Sequence, residues 1–107
     1  MQPHRVSQPK QAMKAREEAA ARKSERIAAI RLAKRVLSSH RIGLYIPRST
    51  ASAAEEALRQ YVPDRRDVYY NALPALEQIA CGKSPTPRRC ISAVTDLNEI
   101  ECLELSE

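Results

Sequence analysis

The chain has 107 residues, a formal net charge of +5, no Trp, no Phe and only two Gly. A chain of this length forms one domain with at most an additional arm or tail, and so few glycines argue against a turn-rich sandwich or barrel. The core must be built from Ala, Leu, Ile and Val and is expected to be thin, which excludes most enzyme architectures with a deep pocket.

Positive and negative charges are separated along the chain. Residues 1–48 contain twelve Lys or Arg and three Glu, and residues 49–89 contain six basic and five acidic residues. Residues 90–107 contain five acidic residues and no basic one. A basic arm and an acidic tail on one small chain predict two different electrostatic surfaces.

The N-terminal part predicts a disordered segment followed by a long helix. Residues 1–9 contain two prolines among polar residues and are predicted to be disordered. Residues 10–40 contain neither Gly nor Pro and are rich in Ala, Glu, Lys and Arg, which predicts one long basic helix. No apolar residue larger than Ala occurs between Met13 and Ile27, so the first half is expected to be solvated. The second half has an apolar face that is expected to pack into the domain.

Residues 41–82 are predicted to form a compact helical body. The alternating apolar residues of 41–46 predict a short strand that ends at Pro47. Ser52 and Glu55 have the spacing of a capping box, which predicts an amphipathic helix over residues 52–62. A further helix is predicted from residue 64 or 67 to 81, and Pro74 either kinks it or lies in the first turn of a new helix.

Residues 83–107 are predicted to form a linker and an acidic C-terminal segment. The Pro-rich residues 83–89 predict the linker, residues 90–94 a short strand, and Thr95 the cap of a last helical turn. The predicted fold class is therefore mainly α: a long basic N-terminal helix and a small helical body, with room for one short strand or hairpin.

The remaining motifs argue against catalysis and against a membrane span. No apolar stretch approaches the roughly 18 residues that cross a bilayer, and the N-terminus has no apolar signal region. The three cysteines match no zinc-binding spacing, and Cys81 and Cys102 are expected to be small buried residues. Phosphate-binding, metalloprotease and serine-nucleophile motifs are missing. We expect no enzyme, cofactor, metal or membrane partner, and a cytoplasmic location, or a nuclear one for a eukaryotic virus.

Residues 14–35 resemble in composition the arginine-rich arms of phage antiterminators and lentiviral RNA regulators, although three glutamates dilute their charge. The resemblance implies a helix that lies in a nucleic-acid groove and neutralises phosphates. The alternative is a solvated, self-paired helix or one that packs on a partner. The predicted nucleic-acid-binding residues of the whole chain are Arg16, Arg22, Arg26, Arg31, Lys34, Arg35, Arg41, Arg65, Arg66 and Tyr70.

Two other segments resemble known interaction motifs. The strand-helix-helix outline of residues 41–81 resembles ribbon-helix-helix DNA-binding proteins, which implies that Arg41, Gly43 and Tyr45 face the major groove. The usual turn between the two helices is missing. The acidic tail resembles a leucine-rich nuclear export signal, and its candidate partner-binding residues are Leu97, Ile100, Leu103 and Leu105. The favoured alternative is that this tail docks on its own domain.

The sequence therefore predicts a small non-enzymatic nucleic-acid-binding regulator of phage, plasmid or viral type, which binds RNA or DNA through an Arg-rich helix. The alternative is a protein-interaction module, an adaptor or inhibitor that binds a protein through the long helix or the acidic tail. The thin core favours a homodimer or a bound partner.

Overall fold

The structure, a computed structural model, describes residues 4–107, with side chains from Lys14 onward. These residues form four α-helices and one 3-10 helix and contain no strand, so the fold is mainly α, as predicted. The helices are α1 (His4–Arg41), α2 (Arg48–Tyr61), the 3-10 helix (Arg66–Tyr70), α3 (Ala72–Ala80) and α4 (Pro87–Ser106). Helix α1 begins within the segment predicted to be disordered, of which residues 1–3 lie outside the described residues.

The second half of α1 is the central element of a four-helix arrangement. It packs against both α2 and α4, and α3 packs against the same two helices. Arg26 of α1 contacts Glu104 of α4, whereas Lys34, further along α1, contacts Glu101. Residue numbers therefore rise along α1 while they fall along α4, so these two helices are antiparallel.

The core is thin, as its Ala content predicts. Its larger fully buried side chains include Ile30, Leu37, Leu58, Leu76 and Leu97. Seven alanines are at most 3% exposed and let the helices approach closely: Ala29, Ala33, Ala51, Ala54, Ala72, Ala75 and Ala93. The predicted apolar face of the second half of α1 supplies Ala29, Ile30, Ala33, Val36 and Leu37.

The first half of α1 projects beyond the bundle. We call residues 14–22 the arm; each of these residues is exposed, as predicted. The molecule measures 66 × 25 × 20 Å, and its radius of gyration of 17.7 Å exceeds the 13 Å or so of a compact domain of this length. Helix α1 accounts for this elongation, because its 38 residues span about 57 Å at 1.5 Å per residue.

The predicted strand at residues 41–46 is wrong. Helix α1 instead ends in a Schellman motif, in which Gly43 (φ +84°) donates to the His40 carbonyl and Leu44 to the Ser39 carbonyl. Because no second strand lies in residues 4–107, the alternating pattern has nothing to pair with and cannot form a sheet. The resemblance to ribbon-helix-helix proteins is therefore wrong as well, because it required a strand at these residues.

Helix α2 begins four residues before its predicted start. Pro47 is its N-cap residue, and the Pro47 carbonyl accepts from the amide nitrogens of Thr50 and Ala51. The predicted capping box is therefore wrong, since Ser52 and Glu55 lie inside the helix. The earlier start is favoured because it brings Ala51 into the core, where it is fully buried.

The helix predicted to end at residue 81 is divided into two. The 3-10 helix ends at Tyr70, and Asn71 is the N-cap residue of α3. Pro74 is the third residue of α3, where its missing N–H costs no intrahelical hydrogen bond. The second of the two predicted alternatives, Pro74 in the first turn of a new helix, is thus the one observed.

Helix α4 replaces part of the predicted linker and the predicted strand at residues 90–94. Thr86 caps the helix by accepting a hydrogen bond from the Arg89 amide (3.2 Å), and Pro87 occupies the first helical position. Both residue types are typical of helix starts, so the Thr-Pro pair is a helix signal inside a segment whose composition resembles a linker.

We predict that Leu97→Ala destabilises the bundle by about 2–5 kcal/mol, because Leu97 is fully buried and anchors α4 in an Ala-rich core with little capacity to refill a cavity. Urea unfolding followed by circular dichroism measures the change. The matched control is Leu103→Ala on the same helix, which is half exposed and should change stability by about 0.5 kcal/mol or less. Equal losses in the two variants would contradict the packing described here.

Candidate nucleic-acid interface

Arg26 joins α1 to the ends of α2 and α4. Its Nε donates to Glu104 Oε1 (3.0 Å), and its Nη1 donates to the Tyr61 carbonyl (2.9 Å) and to Asp64 Oδ1 (2.6 Å). Its Nη2 contacts both carboxylates. The Glu104 side chain is only 4% exposed, so these charge-assisted bonds compensate a carboxylate that is held away from water.

Further cations extend this contact along α4. Arg65 Nη2 lies 3.5 Å from Glu104 Oε1 and 3.0 Å from Glu107 Oε1. Lys23 Nζ donates to the backbone oxygen of Glu107 (3.0 Å). The end of α4 is therefore held between α1 and the loop that follows α2.

Glu101 makes the next ion pairs, one helical turn before Glu104. It accepts from Arg31 Nε (2.9 Å) and from Lys34 Nζ (2.7 Å). Glu101, Glu104 and Glu107 are three residues apart and so lie on one side of α4. The acidic segment docks on its own domain, which confirms the interpretation that the sequence favoured; we call this set of contacts the α1–α4 ion-pair network.

The network shifts the pKa values of its carboxylates downward. Hydrogen bonds from Arg26 lower the pKa of Glu104 and of Asp64, and burial opposes both shifts. Hydrogen bonds from Lys34 and Arg31 lower the pKa of Glu101. These carboxylates bind protons less readily in the folded state, so folding is favoured where they are ionised.

The predicted nucleic-acid-binding residues do not form one surface. Arg26, Arg31, Lys34 and Arg65 belong to the ion-pair network. Arg16 and Arg22 are exposed on the arm, and Arg35, Arg41 and Arg66 are exposed on the bundle. Tyr70 is 77% exposed and lines a groove with Arg65 and Arg66, but four carboxylates line the same groove. Pairing with α4 thus occupies much of the predicted basic face of α1.

Cations without an ion pair also occur together at one end of the bundle, the end opposite to the contact between Arg26 and Glu104. We call this the loop end; it consists of residues 38–52 and 77–91, where α1 and α3 end and α2 and α4 begin. It carries five Lys or Arg residues and a single carboxylate, Glu77. The five cations, none of which forms an ion pair within residues 14–107, are Arg41, Arg48, Lys83, Arg88 and Arg89.

The loop-end elements are close in space as well as similar in charge. The guanidinium of Arg48, at the start of α2, lies against Gly82, which follows α3: a Cβ atom at Gly82 would lie 2.6 Å from Arg48 Cζ. Arg41, at the end of α1, is close enough to Cys90 of α4 for its charge to oppose the effect of burial, which raises the pKa of the Cys90 thiol. Arg89 and Lys83 line one shallow groove.

A second loop-end groove combines aromatic and cationic side chains. It has a volume of about 410 Å³ and lies between the loop after α1 and the turn after α3. Its lining includes His40, Leu44, Tyr45, Arg48 and Lys83. Sequence reasoning did not select Arg48, Lys83, Arg88 or Arg89, because Arg48 lies outside the predicted basic helix and the other three lie in the predicted linker. The signal that could have found them is their common position at helix ends.

The candidate partner-binding residues of the tail have two different roles. Leu97 and Ile100 are buried in the core, whereas Leu103 and Leu105 are about half exposed. Leu103 lines a groove of about 600 Å³ between the 3-10 helix and α4. Four carboxylates, two arginines and the exposed Tyr70 share this lining. We call it the acidic groove because its carboxylates, Asp64, Asp67, Asp96 and Glu99, outnumber its cations, Arg65 and Arg66.

Cysteine chemistry and metal ligation add no site to the described residues. Cys81 and Cys102 are exposed and Cys90 is buried, so the expectation that the first two are buried is wrong. Within residues 14–107, no group of His, Cys, Asp and Glu is arranged to hold a metal ion. No helix of the described chain is both long and apolar enough to cross a bilayer.

Comparison with protein-family models, with curated proteins and with solved structures finds no match to this chain.

We predict that the free energy of unfolding falls as the pH is lowered below about 4.5, the ordinary pKa of Glu. Glu101, Glu104 and Asp64 have lowered folded-state pKa values. Their contribution is complete above the unfolded-state pKa and is lost as the pH falls through the folded-state pKa. Urea titrations between pH 7 and about pH 3 measure this effect.

Glu104→Gln tests the assignment of the pH effect. The variant should be less stable than the wild type at pH 7, and the difference should shrink at acid pH, where the wild-type carboxylate is protonated too. Glu99→Gln is the matched control, because Glu99 is exposed on the same helix and forms no ion pair within residues 14–107. If the difference in the free energy of unfolding between the wild type and Glu104→Gln stayed constant from pH 7 to about pH 3, Glu104 would not contribute to the pH dependence of stability.

Proposed function

We propose that this protein is a small non-enzymatic nucleic-acid-binding protein that contacts phosphates through its loop end rather than through the middle of the Arg-rich helix. The observation that carries the proposal is the distribution of pairing. Arg26, Arg31 and Lys34 in the middle of α1 are paired with carboxylates of α4. The loop end, in contrast, contains five cations and only one carboxylate. Regulatory activity of phage, plasmid or viral type and a cytoplasmic location stay predictions from the sequence.

The backbone of the loop end favours anions as well. Helices α2 and α4 begin there, and the N-terminus of a helix carries a partial positive charge. Helices α1 and α3 end there, but their last carbonyls are engaged by Schellman motifs around Gly43 and Gly82. Arginine supplies four of the five cations, and its planar fork matches the geometry of phosphate oxygens.

We predict that binding to nucleic acid weakens steeply as salt rises from about 50 mM to about 200 mM, because each neutralised phosphate releases a counterion. Lys83→Glu combined with Arg88→Glu should weaken binding about tenfold or more and lower the slope of log K against log salt by about 1.5, since two contacts are lost. Fluorescence anisotropy with a labelled single strand, a duplex and an RNA hairpin measures both quantities.

The matched control is Arg16→Glu combined with Arg22→Glu, which makes the same charge change on the arm. Both pairs are exposed and form no ion pair within residues 14–107, and circular dichroism checks that each variant keeps its helix content. Loss of binding in the arm variant, with binding kept in the loop-end variant, would assign the phosphate contacts to the Arg-rich helix. Failure of the wild type to bind any probe at about 50 mM salt would end the proposal.

The acidic groove supports the alternative function, a protein-interaction module that uses the acidic tail. Tyr70 is 77% exposed and Leu103 50% exposed in this groove, where they offer apolar contacts next to four carboxylates. This chemistry fits a partner segment that combines Lys or Arg with an apolar anchor.

We predict for this alternative that an amphipathic Lys/Leu peptide binds the groove and that Leu103→Asp weakens its binding about tenfold, because a charge replaces the apolar contact. Isothermal titration calorimetry measures the affinity. Leu105→Asp is the matched control, since Leu105 has a similar exposure on the same helix but lies outside the groove. An equal effect of both substitutions would show that the groove does not hold the peptide.

A further inference from the structure

Three apolar side chains project into solvent at the centre of the loop end. Tyr45 is 85% exposed, Ile42 66% and Leu44 57%, although the thin core could have used them. Ile42 and Leu44 lie within the Schellman motif that ends α1 and Tyr45 follows it, and no strand in residues 4–107 covers them. Apolar residues grouped in this way at the surface are typical of a binding site.

Cations flank this apolar loop. Arg41 immediately precedes the loop, and Arg48 lies three residues after Tyr45. Lys83 lies across the groove that Leu44 and Tyr45 line. The side chains that line this groove therefore include an aromatic ring, an aliphatic side chain and two cations.

The position of Arg48 is set by the backbone rather than by an ion pair. Its guanidinium lies against the turn at Gly82, where φ is +78° and no side chain is in the way. It forms no ion pair within residues 14–107, so its charge is available to an anion beside Tyr45. Arg48 and Tyr45 line the same groove, so an anion bound by Arg48 would share this groove with the aromatic ring.

We propose that the loop end binds single-stranded nucleic acid, with one unstacked base packed on the Tyr45 ring in the groove and the neighbouring phosphates held by Arg41, Arg48 and Lys83. This inference rests on the proposed function and specifies its ligand. A duplex keeps its base faces stacked and offers nothing to an exposed aromatic ring, whereas in a single strand every base has a free face. The loop-end cations come from four different helix ends and accompany exposed apolar side chains, instead of forming a row along one helix that could follow a duplex groove.

The groove is large enough for such a contact. Its volume of about 410 Å³ lies within the range of about 300–1,000 Å³ that is typical of small-ligand sites. The loop end itself is no wider than the bundle, whose cross-section is about 25 × 20 Å. A short stretch of a few nucleotides is therefore the part of a strand that this surface can contact.

The test measures the binding of a labelled oligonucleotide of about 12 nucleotides, as RNA and as DNA, against a duplex of the same length and against vesicles that contain anionic phospholipid. The wild type should prefer the single strand, and Tyr45→Ala should weaken single-strand binding about 5- to 150-fold, the range for loss of one base stack. Tyr45→Phe should bind within about twofold of the wild type, because stacking needs the ring and not the hydroxyl. Base stacking should also quench the Tyr fluorescence of this Trp-free chain.

Tyr70→Ala is the matched control. Tyr70 is exposed to a similar extent as Tyr45, but it lies in the acidic groove at the other end of the bundle. It should leave binding unchanged. A wild type that binds duplex as tightly as single strand, together with no effect of Tyr45→Ala, would overturn this inference while leaving the proposed function in place. Binding to anionic vesicles with no affinity for any oligonucleotide would overturn both and identify the loop end as a lipid surface.

Discussion

The burial of Glu104 against Arg26 is the interaction on which the arrangement of the helices depends. A core in which seven alanines supply much of the contact has limited apolar area to fix the position of one helix on another. A buried carboxylate without a partner costs several kcal/mol, so α4 can dock only where a cation meets Glu104. Arg26 satisfies this requirement and at the same time binds Asp64 and the end of α2.

This internal pairing decides which charges face the solvent. Glu101 lies one helical turn before Glu104 and meets Arg31 and Lys34, so that, together with Arg26, three cations of α1 are engaged by α4. Five of the cations that are left without a partner lie at the loop end, together with Tyr45 and two aliphatic side chains, whereas others lie on the arm and at Arg35 and Arg66. The same contact that holds the bundle together therefore moves the candidate interface to its other end.

Part of the fold could be predicted because it depends on local chemistry. The Ala- and Arg-rich segment forms α1, and its apolar face is the one that the sequence indicated. Helix α4 was missed because its inward positions are Cys90, Ala93, Leu97, Ile100 and Glu104, a regular helical spacing in which only two residues are strongly apolar. The alternation at residues 42–46 was misleading because a strand needs a partner, which local sequence cannot supply.

The candidate site was predicted less well than the fold. Charge counting along the chain identified the basic helix and the acidic tail, and it also raised the idea that the tail folds back on the helix. It could not select Arg48 or Arg88, because Arg48 lies among neutral residues and Arg88 lies in a segment whose composition predicted a linker. Their common feature, a position at the end of a helix, becomes a common surface only after the helices have packed.

The sequence by itself determined the helical class, the solvated arm, the small-residue core and the amount of positive charge. These properties follow from residue propensity, periodicity and composition, which act over a few residues. Only the tertiary structure decided which cations are paired and which are available, because ion pairing depends on the antiparallel docking of α4 on α1. It also brought Arg41, Arg48, Lys83 and Arg89 to one end, since consecutive helices of a bundle reverse direction and their alternate ends meet.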